Sequence, residues 1–318
     1  MQLRFNIFYK ADALFALHGI TRAASSGNTK TTSIDRLDMI ASALTQHLVD
    51  MAGGGELVFD EWDGLVQLIL LYGPQKTAPG ALDCPYQQSL KSLRALSDQF
   101  DYFSQPGQGS VIYAGLYLER PAHTHLVYGA VCTPIPGETV CGDAWAIKQN
   151  RVLVCDGLGH GIAAAEASEK AVQTFLSQDP AMHLKEVVQH LHLALAGTRG
   201  CALAVAEIDP DIRKVRFCGV GNIAGTLISE KTQGLVSKNG TAGYMMGKVQ
   251  TFEYNWSADA LLVMASDGIN TRVDLSRYPA VLSRHPAVVA SLIHRDFRRE
   301  NDDATVLVIK PSAICPLG

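Results

Sequence analysis

Val152-Leu153-Val154-Cys155-Asp156-Gly157 is an apolar run that ends in Asp-Gly, and Leu262-Val263-Met264-Ala265-Ser266-Asp267-Gly268 repeats the form further along the chain. In each, a buried strand delivers a carboxylate to its end, and a glycine lets the backbone turn sharply. Gly142-Asp143 precedes a third strand-like run, and Asn301-Asp302-Asp303 precedes the last one, Ala304–Lys310. Four acidic positions therefore stand at strand ends of one region. Carboxylates gathered this way repel: at ~4 Å and an effective dielectric near ~20, each pair costs roughly 4 kcal/mol. Divalent cations would remove that cost, and all-oxygen ligands suit magnesium or manganese better than zinc. A two-metal site lowers the pKa of a water and presents it in line with a phosphorus, so no covalent nucleophile is needed. Any one Asp-Gly taken alone is an ordinary turn signal.

Around these runs the second part of the chain is rich in strands. The pattern predicts strands at 126–132, 143–148, 151–155, 201–208, 213–219, 222–228, 261–265 and 304–310. Two helices, 162–177 and 184–196, fall together between the third and fourth strands; Leu184, Val187, Val188, Leu191 and Leu195 form the apolar face of the second. A later helix is expected over 286–297. Many strands with inserted helix pairs point to two packed sheets with helices outside.

The first part reads as strand, helix, helix, two strands, helix, two strands. Leu3–Tyr9 alternates, Asp12–Ala24 is helical, and Ile34, Leu37, Ile40, Leu44, Leu48 and Met51 recur at helical spacing over 34–51. Gly53-Gly54-Gly55 stops that helix. Glu56–Asp60 and Leu65–Leu71 form a hairpin around Asp63-Gly64. Gln88–Phe100 reads as a helix, followed by strands at Tyr102–Ser104 and Ser110–Leu118. This order predicts one sheet covered by helices. The polar, proline-bearing stretch 119–125 is the expected linker between a domain at 1–118 and one at 126–318.

Bulk properties agree with two domains of a soluble protein. The chain has 318 residues, a formal charge of −4 and no basic stripe, so nucleic acid is not an expected partner. No apolar run approaches the ~20 residues that cross a bilayer. Residues 1–15 lack the order of a signal peptide, so a cytoplasmic protein is expected, without a membrane partner. The seven cysteines include no CxxC, and several lie inside strand-like runs; reduced, buried thiols are expected rather than disulfides or a zinc site.

Gly142-Asp143, Asp156-Gly157-Leu158-Gly159-His160-Gly161, Gly219-Val220-Gly221-Asn222, Ser266-Asp267-Gly268 and 302–308 (DDATVLV) occur in an order and spacing that resembles the type 2C (PPM-type), metal-dependent serine/threonine phosphatases. The likeness is greatest to the short bacterial branch of SpoIIE-type and RsbX-like phosphatases, and it covers nearly all of 126–310. It implies an α+β fold, a C-terminal αββα sandwich with two manganese or magnesium ions between its sheets, and phosphoserine or phosphothreonine on a protein as substrate. It also implies that Asp143 and Asp156 bridge the metals, that the carbonyl of Gly157 holds one, and that Asp267 and Asp302 hold the other. The family's D-x-x-T pattern selects Asp302 over Asp303, counting back from Thr305. The phosphate-binding arginine of larger relatives has no equivalent, and Cys141 stands where those relatives often carry an acid.

His160 lies in the loop beside the implied metals and is the candidate acid for protonating the leaving seryl oxygen. Asn222 is expected to fix a turn. His183, His190 and His192 share no helix face at ligand spacing and are expected in solvent. Glu166 is expected on a helix surface.

Residues 1–118 resemble the GHKL-type ATP-binding fold of anti-sigma-factor serine kinases such as RsbT, a smaller two-layer α/β domain. The residues that carry this are Ser42–Gly55 with Glu56 after it, Tyr72-Gly73-Pro74, and Ser104–Gly109. The chemistry of that family is missing. Ala43 and His47 replace its glutamate and asparagine, Leu71 replaces the adenine-binding aspartate, Gln75 replaces a glycine, and Pro85–Ser92 stands in place of the phosphate lid. A degenerate domain that does not use ATP is expected, serving binding, docking or homodimer formation. By resemblance the substrate is a phosphorylated regulator of a partner-switching pathway, a STAS-type anti-sigma antagonist or a stressosome-like protein. Two rival readings are a non-catalytic regulatory scaffold and a bifunctional kinase–phosphatase. Four mutually repelling carboxylates speak against the first, and Ala43, His47 and Leu71 against the second.

Overall fold

The computed structural model describes residues 2–24, 31–73, 84–105, 107–118, 126–229, 231–257, 259–278 and 280–311, with side chains left undescribed at 31–32, 51–52 and 84–86. The expected linker 119–125, Gln75 and Cys315 lie outside these residues. The chain forms two compact units: Met1–His123 with Ser276–Val288, and Thr124–Leu275 with Val289–Gly318.

The first unit runs β1 (Gln2–Ile7), α1 (Lys10–Ala24), α2 (Thr31–His47), β2 (Gly55–Trp62), β3 (Leu65–Tyr72), α3 (Cys84–Leu96), β4 (Gln99–Gln105) and β5 (Gly109–Tyr117). Its sheet is antiparallel, in the order β1-β2-β3-β5-β4. Leu37, Ile40 and Leu44 on α2, with Leu48 just after it, share one buried core with Leu57, Leu68, Leu70 and Ile112, so the helical spacing read from sequence becomes the core face. The helix expected over 34–51 changes to a single π-helical turn at Leu48–Ala52 before Gly53 takes a left-handed conformation. The helix expected over Gln88–Phe100 instead ends at Leu96, and Gln99 already belongs to β4. There Asp98 accepts the amide of Tyr117 at 2.9 Å and donates its own amide to Gly115, which commits the following residues to pairing with β5. His47 is 3% exposed, within reach of Ser89 Oγ at 3.2 Å and Tyr72 OH at 3.3 Å. Burial lowers its pKa to about 4. Within the same unit His285 stacks on Tyr113, with ring centroids 4.1 Å apart.

The second unit holds the remaining elements: β6 (Leu126–Thr133), β7 (Asp143–Lys148), β8 (Arg151–Gly157), α4 (Ile162–Ser177), α5 (Leu184–Ala194), β9 (Cys201–Asp209), β10 (Lys214–Val220) and β11 (Ala224–Ile228), then the short β12 (Thr232–Gly234), β13 (Ser237–Lys238), β14 (Gly240–Thr241), β15 (Met245–Met246) and β16 (Phe252–Asn255), then β17 (Leu261–Ala265), α6 (Pro286–Phe297, from Val289 on) and β18 (Ala304–Pro311). Two large sheets result, β13-β10-β9-β8-β7 with β16 beside β10, and β12-β11-β17-β18-β6, while β14 and β15 pair with each other as a separate hairpin. Helices α4 and α5 cover the first sheet, α4 on β7 and β8, α5 on β9 and β10. On the second, His294 of α6 meets Thr133 Oγ1 of β6 at 2.8 Å. With a helix on one face and the other sheet on the opposite face, a central strand has no wet side. Val152–Cys155 and Leu261–Ala265 are accordingly buried throughout, which accounts for their continuous apolar runs. The whole is a mixed α+β fold. The short strands between Thr232 and Asn255 carry no alternation long enough to be read from sequence. Among the described residues no helix is long and apolar enough to cross a membrane.

Candidate metal centre

The register of β7 on β8 sets Asp143 directly opposite Asp156. Asp267 follows β17 and Asp302 precedes β18, whose pairing joins those two strands. Two Asp-Gly corners let the chains come this close. A Cβ on Gly157 would lie 2.2 Å from the carbonyl oxygen of Ala164 in α4, and one on Gly268 would lie 1.8 Å from that of Asp303. Neither position tolerates a side chain without moving backbone.

Each carboxylate has a distinct set of partners. Asp143 is 4% exposed; its Oδ2 accepts the Ser266 hydroxyl at 2.6 Å, while its Oδ1 is buried with no hydrogen-bond partner. Burial foremost, with the charges of Asp303 and Asp302 adding, pushes its pKa up to about 7. Asp156 is pushed up to about 9, by burial and then by the charges of Asp143, Asp267 and Asp302. Asp302 is raised as well, by burial and the charge of Asp267. Asp267 accepts the Asn222 side-chain amide at 2.7 Å. Asn222 therefore does more than shape its turn, and sequence reading missed this because nothing local marks a contact 45 residues away.

Asp303 differs from its neighbour. It is 2% exposed and spends both oxygens on backbone: Oδ1 accepts the amide of Ile135 at 2.8 Å, Oδ2 that of Gly142 at 3.0 Å. Asp302 is half-buried, with one oxygen accepting the Asp303 amide at 3.0 Å.

Among the described residues no three His, Cys, Asp or Glu side chains close around one point as a finished ligand shell. The carboxylates stand instead as a chain of neighbours that destabilise one another's charged forms. An all-oxygen donor set, an orphaned buried carboxylate oxygen and uncompensated repulsion together fit hard divalent cations.

At the loop after Asp156, His160 is exposed and its Nδ1 meets Glu138 Oε1 at 2.9 Å. Glu138, between β6 and β7, was not singled out from sequence; an isolated loop glutamate carries no local signal. Cys141 lies with its Sγ 3.4 Å from that of Cys132, and Cys132, Cys141, Cys155, Cys201 and Cys218 are all free thiols. The hydrogen bond with the Cys132 thiol, and then burial, raise the Cys141 pKa. Glu166 is exposed on α4. His192 departs from expectation: half-buried on α5, its Nδ1 accepts the amide of Gly243 at 3.0 Å. His190 is exposed, its Nδ1 3.0 Å from Gln178 Oε1.

The profile of the Stage II sporulation protein E (SpoIIE) family matches residues 148–312, just over half of the chain. No curated protein matches. Among solved structures, one described under "The bacterial stressosome: a modular system that has been adapted to control secondary messenger signaling" is 28% identical, with a TM-score of 0.54, covering 58% of this chain and 99% of its own. The phosphatase domain with a fragment of the regulatory domain of SpoIIE from Bacillus subtilis is 16% identical, with a TM-score of 0.50, covering 95% of this chain and 94% of its own, a likeness of fold. A structure of RsbX in complex with magnesium is 19% identical with a TM-score of 0.49, covering 61% of this chain and 99% of its own. The chain belongs to the SpoIIE family and is a metal-dependent serine/threonine phosphatase.

Proposed function

We propose that the chain hydrolyses phosphoserine or phosphothreonine on a partner-switching regulator, with two cations held by Asp143, Asp156, the Gly157 carbonyl, Asp267 and Asp302. The observation that carries this reading is the pairing of Asp143 with Asp156 across β7 and β8, with one Asp143 oxygen buried and unpartnered. When bound, the cations supply an activated water and neutralise the phosphoryl charge. The protein's own groups do the rest. Ser266 holds Asp143 by Oδ2 and leaves Oδ1 for a ligand. Asn222 holds Asp267, and the Asp303 amide holds Asp302. Asp303 has no oxygen to spare, which supports Asp302 as the ligand. With Glu138 accepting from His160 Nδ1, the imidazolium form of His160 keeps Nε2–H free, and that proton is the one given to the leaving seryl oxygen, leaving a neutral imidazole.

In this reading 126–318 is the phosphatase domain and 1–118 a degenerate GHKL-like domain joined by 119–125. The buried contacts of His47 with Ser89 and Tyr72 support a binding or dimerisation role without ATP, because His47 is committed to the core. A STAS-type or stressosome-like phosphoprotein is the proposed substrate, in a cytoplasmic setting; the stressosome wording attached to the 28%-identical structure supports it. The test is hydrolysis of p-nitrophenyl phosphate and of a phosphoserine protein with manganese. Chelator and Asp156→Ala should each abolish it; turnover that survives both refutes the two-metal assignment. Titration of the full chain with magnesium–ATP should give no micromolar binding.

A further inference from the structure

The loop that follows Asp156-Gly157 is joined to a second element. The Leu158 amide donates to the Gly200 carbonyl at 3.0 Å. Beside it, Cys201 and Ala242 exchange two backbone hydrogen bonds, 3.0 and 2.9 Å, which tie the hairpin of β14 and β15 to the same edge. The turn of that hairpin is pinned from behind, where the Gly243 amide donates to His192 Nδ1 at 3.0 Å. Tyr244 closes it by donating its amide to Thr241 at 3.2 Å.

What this pinned hairpin displays is apolar. Tyr244 is 83% exposed and Met245 70%. On the metal loop itself Leu158 is exposed too. Single exposed apolar side chains are common, but several large ones on backbone segments hydrogen-bonded to one edge, as Leu158 is through Gly200 and the hairpin through Cys201, suit an interaction site. Arg199, next to Gly200 in the chain, brings a cation to the same edge. It is exposed and rests its Nη1 3.4 Å from the Leu158 carbonyl. Among the described residues no carboxylate lies within ion-pair distance of it. A guanidinium in that state has a planar fork of donors free for an anion, and the geometry of that fork matches phosphate.

We propose that Arg199 together with Leu158, Tyr244 and Met245 is the docking surface for the phosphorylated segment of the protein substrate. Arg199 takes the phosphate, and the apolar rim takes an apolar side chain next to the phosphoserine. This rests on the hydrolytic reading above and adds to it a substrate preference. The occupant is a phosphopeptide segment because the surface is continuous with the loop that carries Asp156 and combines one unpaired cation with an apolar shelf. A nucleic acid would require several cations.

The test uses the full chain with manganese and three probes: p-nitrophenyl phosphate, a phosphoserine peptide flanked by leucines, and the same peptide flanked by aspartates. The wild type should prefer the leucine peptide by about tenfold or more in kcat/KM, the usual worth of one apolar side chain in a fitted site. The double variant Tyr244→Ala, Met245→Ala should lose that preference. Arg199→Ala should raise KM for both peptides about tenfold or more while kcat changes little, and Arg199→Lys should recover part of the loss. Equal use of both peptides by an active wild type, or a preference that survives the double variant, overturns the surface while leaving the hydrolytic reading intact. An Arg199→Ala loss confined to kcat overturns the assignment of the guanidinium to phosphate. A wild type inert toward p-nitrophenyl phosphate overturns both readings.

Discussion

Asp302 and Asp303 are adjacent and chemically identical, yet replacing each by asparagine should do opposite things. Asp303 is 2% exposed and accepts two backbone amides, from Ile135 and Gly142. Asparagine keeps one acceptor oxygen and turns an NH2 toward the other amide. One charge-assisted hydrogen bond is lost, worth about 1.5–3 kcal/mol, and a buried N–H is left unpaired at a further cost of about 1–3 kcal/mol. Some repulsion is relieved, because the Asp303 charge is one of the causes that raise the Asp143 pKa, but burial ranks ahead of it. The net loss should be about 2–4 kcal/mol, which for a unit of this size lowers Tm by roughly 5–15 °C. Asp302→Asn keeps its single hydrogen bond through the amide oxygen, so its Tm should stay within about 2 °C of the parent, a typical surface change. Its hydrolysis of p-nitrophenyl phosphate should nonetheless fall about a hundredfold or more, since a neutral oxygen cannot offset cation charge. Circular-dichroism melts in chelator, run beside manganese-dependent hydrolysis, separate the two effects. Equal melting losses in both variants, or an Asp303→Asn protein that melts with the parent, would refute the division of labour between the two carboxylates.

Three further outcomes follow from the same geometry. Asp143 and Asp156 have folded pKa values raised from 3.8 to about 7 and about 9, so their contribution is complete below pH ~4 and is lost as pH rises through those values; the metal-free protein should melt lower at pH 9 than at pH 5, and saturating manganese should remove the slope. A metal-free Tm that rises over that range contradicts the crowding of the carboxylates. His47 has the reverse sign: its folded pKa, lowered from 6.5 to about 4, is complete in effect above pH ~6.5 and lost as pH falls, so the first unit should be weaker by about 2 kcal/mol at pH 5 than at pH 7 through this group, read as faster hydrogen exchange in β2 and β3. His47→Gln should flatten that dependence. Gly268→Ala places a Cβ 1.8 Å from the Asp303 carbonyl and should cost about 2–3 kcal/mol or more by chemical denaturation, with phosphatase activity falling alongside; an undisturbed variant would mean that the corner after Asp267 is looser than described.

Much of the fold was legible in the sequence because it depends on local periodicity. The helix expected over 162–177 occupies Ile162–Ser177, and the one expected over 286–297 occupies Pro286–Phe297. The apolar runs 152–155 and 261–265 became strands buried on both faces, because four or more consecutive apolar residues cannot satisfy a half-wet strand. Where sequence alone erred, a distant partner decided: Gln99 and Phe100 fit a helical period, but β5 offers them a strand to pair with.

The candidate site divides the same way. That carboxylates stand beside Asp-Gly corners was visible in the residues alone, since it requires only an apolar run, an acid and a glycine. Which oxygen meets which donor was not. The opposition of Asp143 to Asp156, the hydroxyl of Ser266 on Asp143, the Asn222 amide on Asp267, the contact of Glu138 with His160 and the two amides that occupy Asp303 all join residues far apart in the chain. Periodicity reports only whether a position is buried. Polar pairing is set by the register of strands and by how two sheets meet, and that information exists only once the chain has packed.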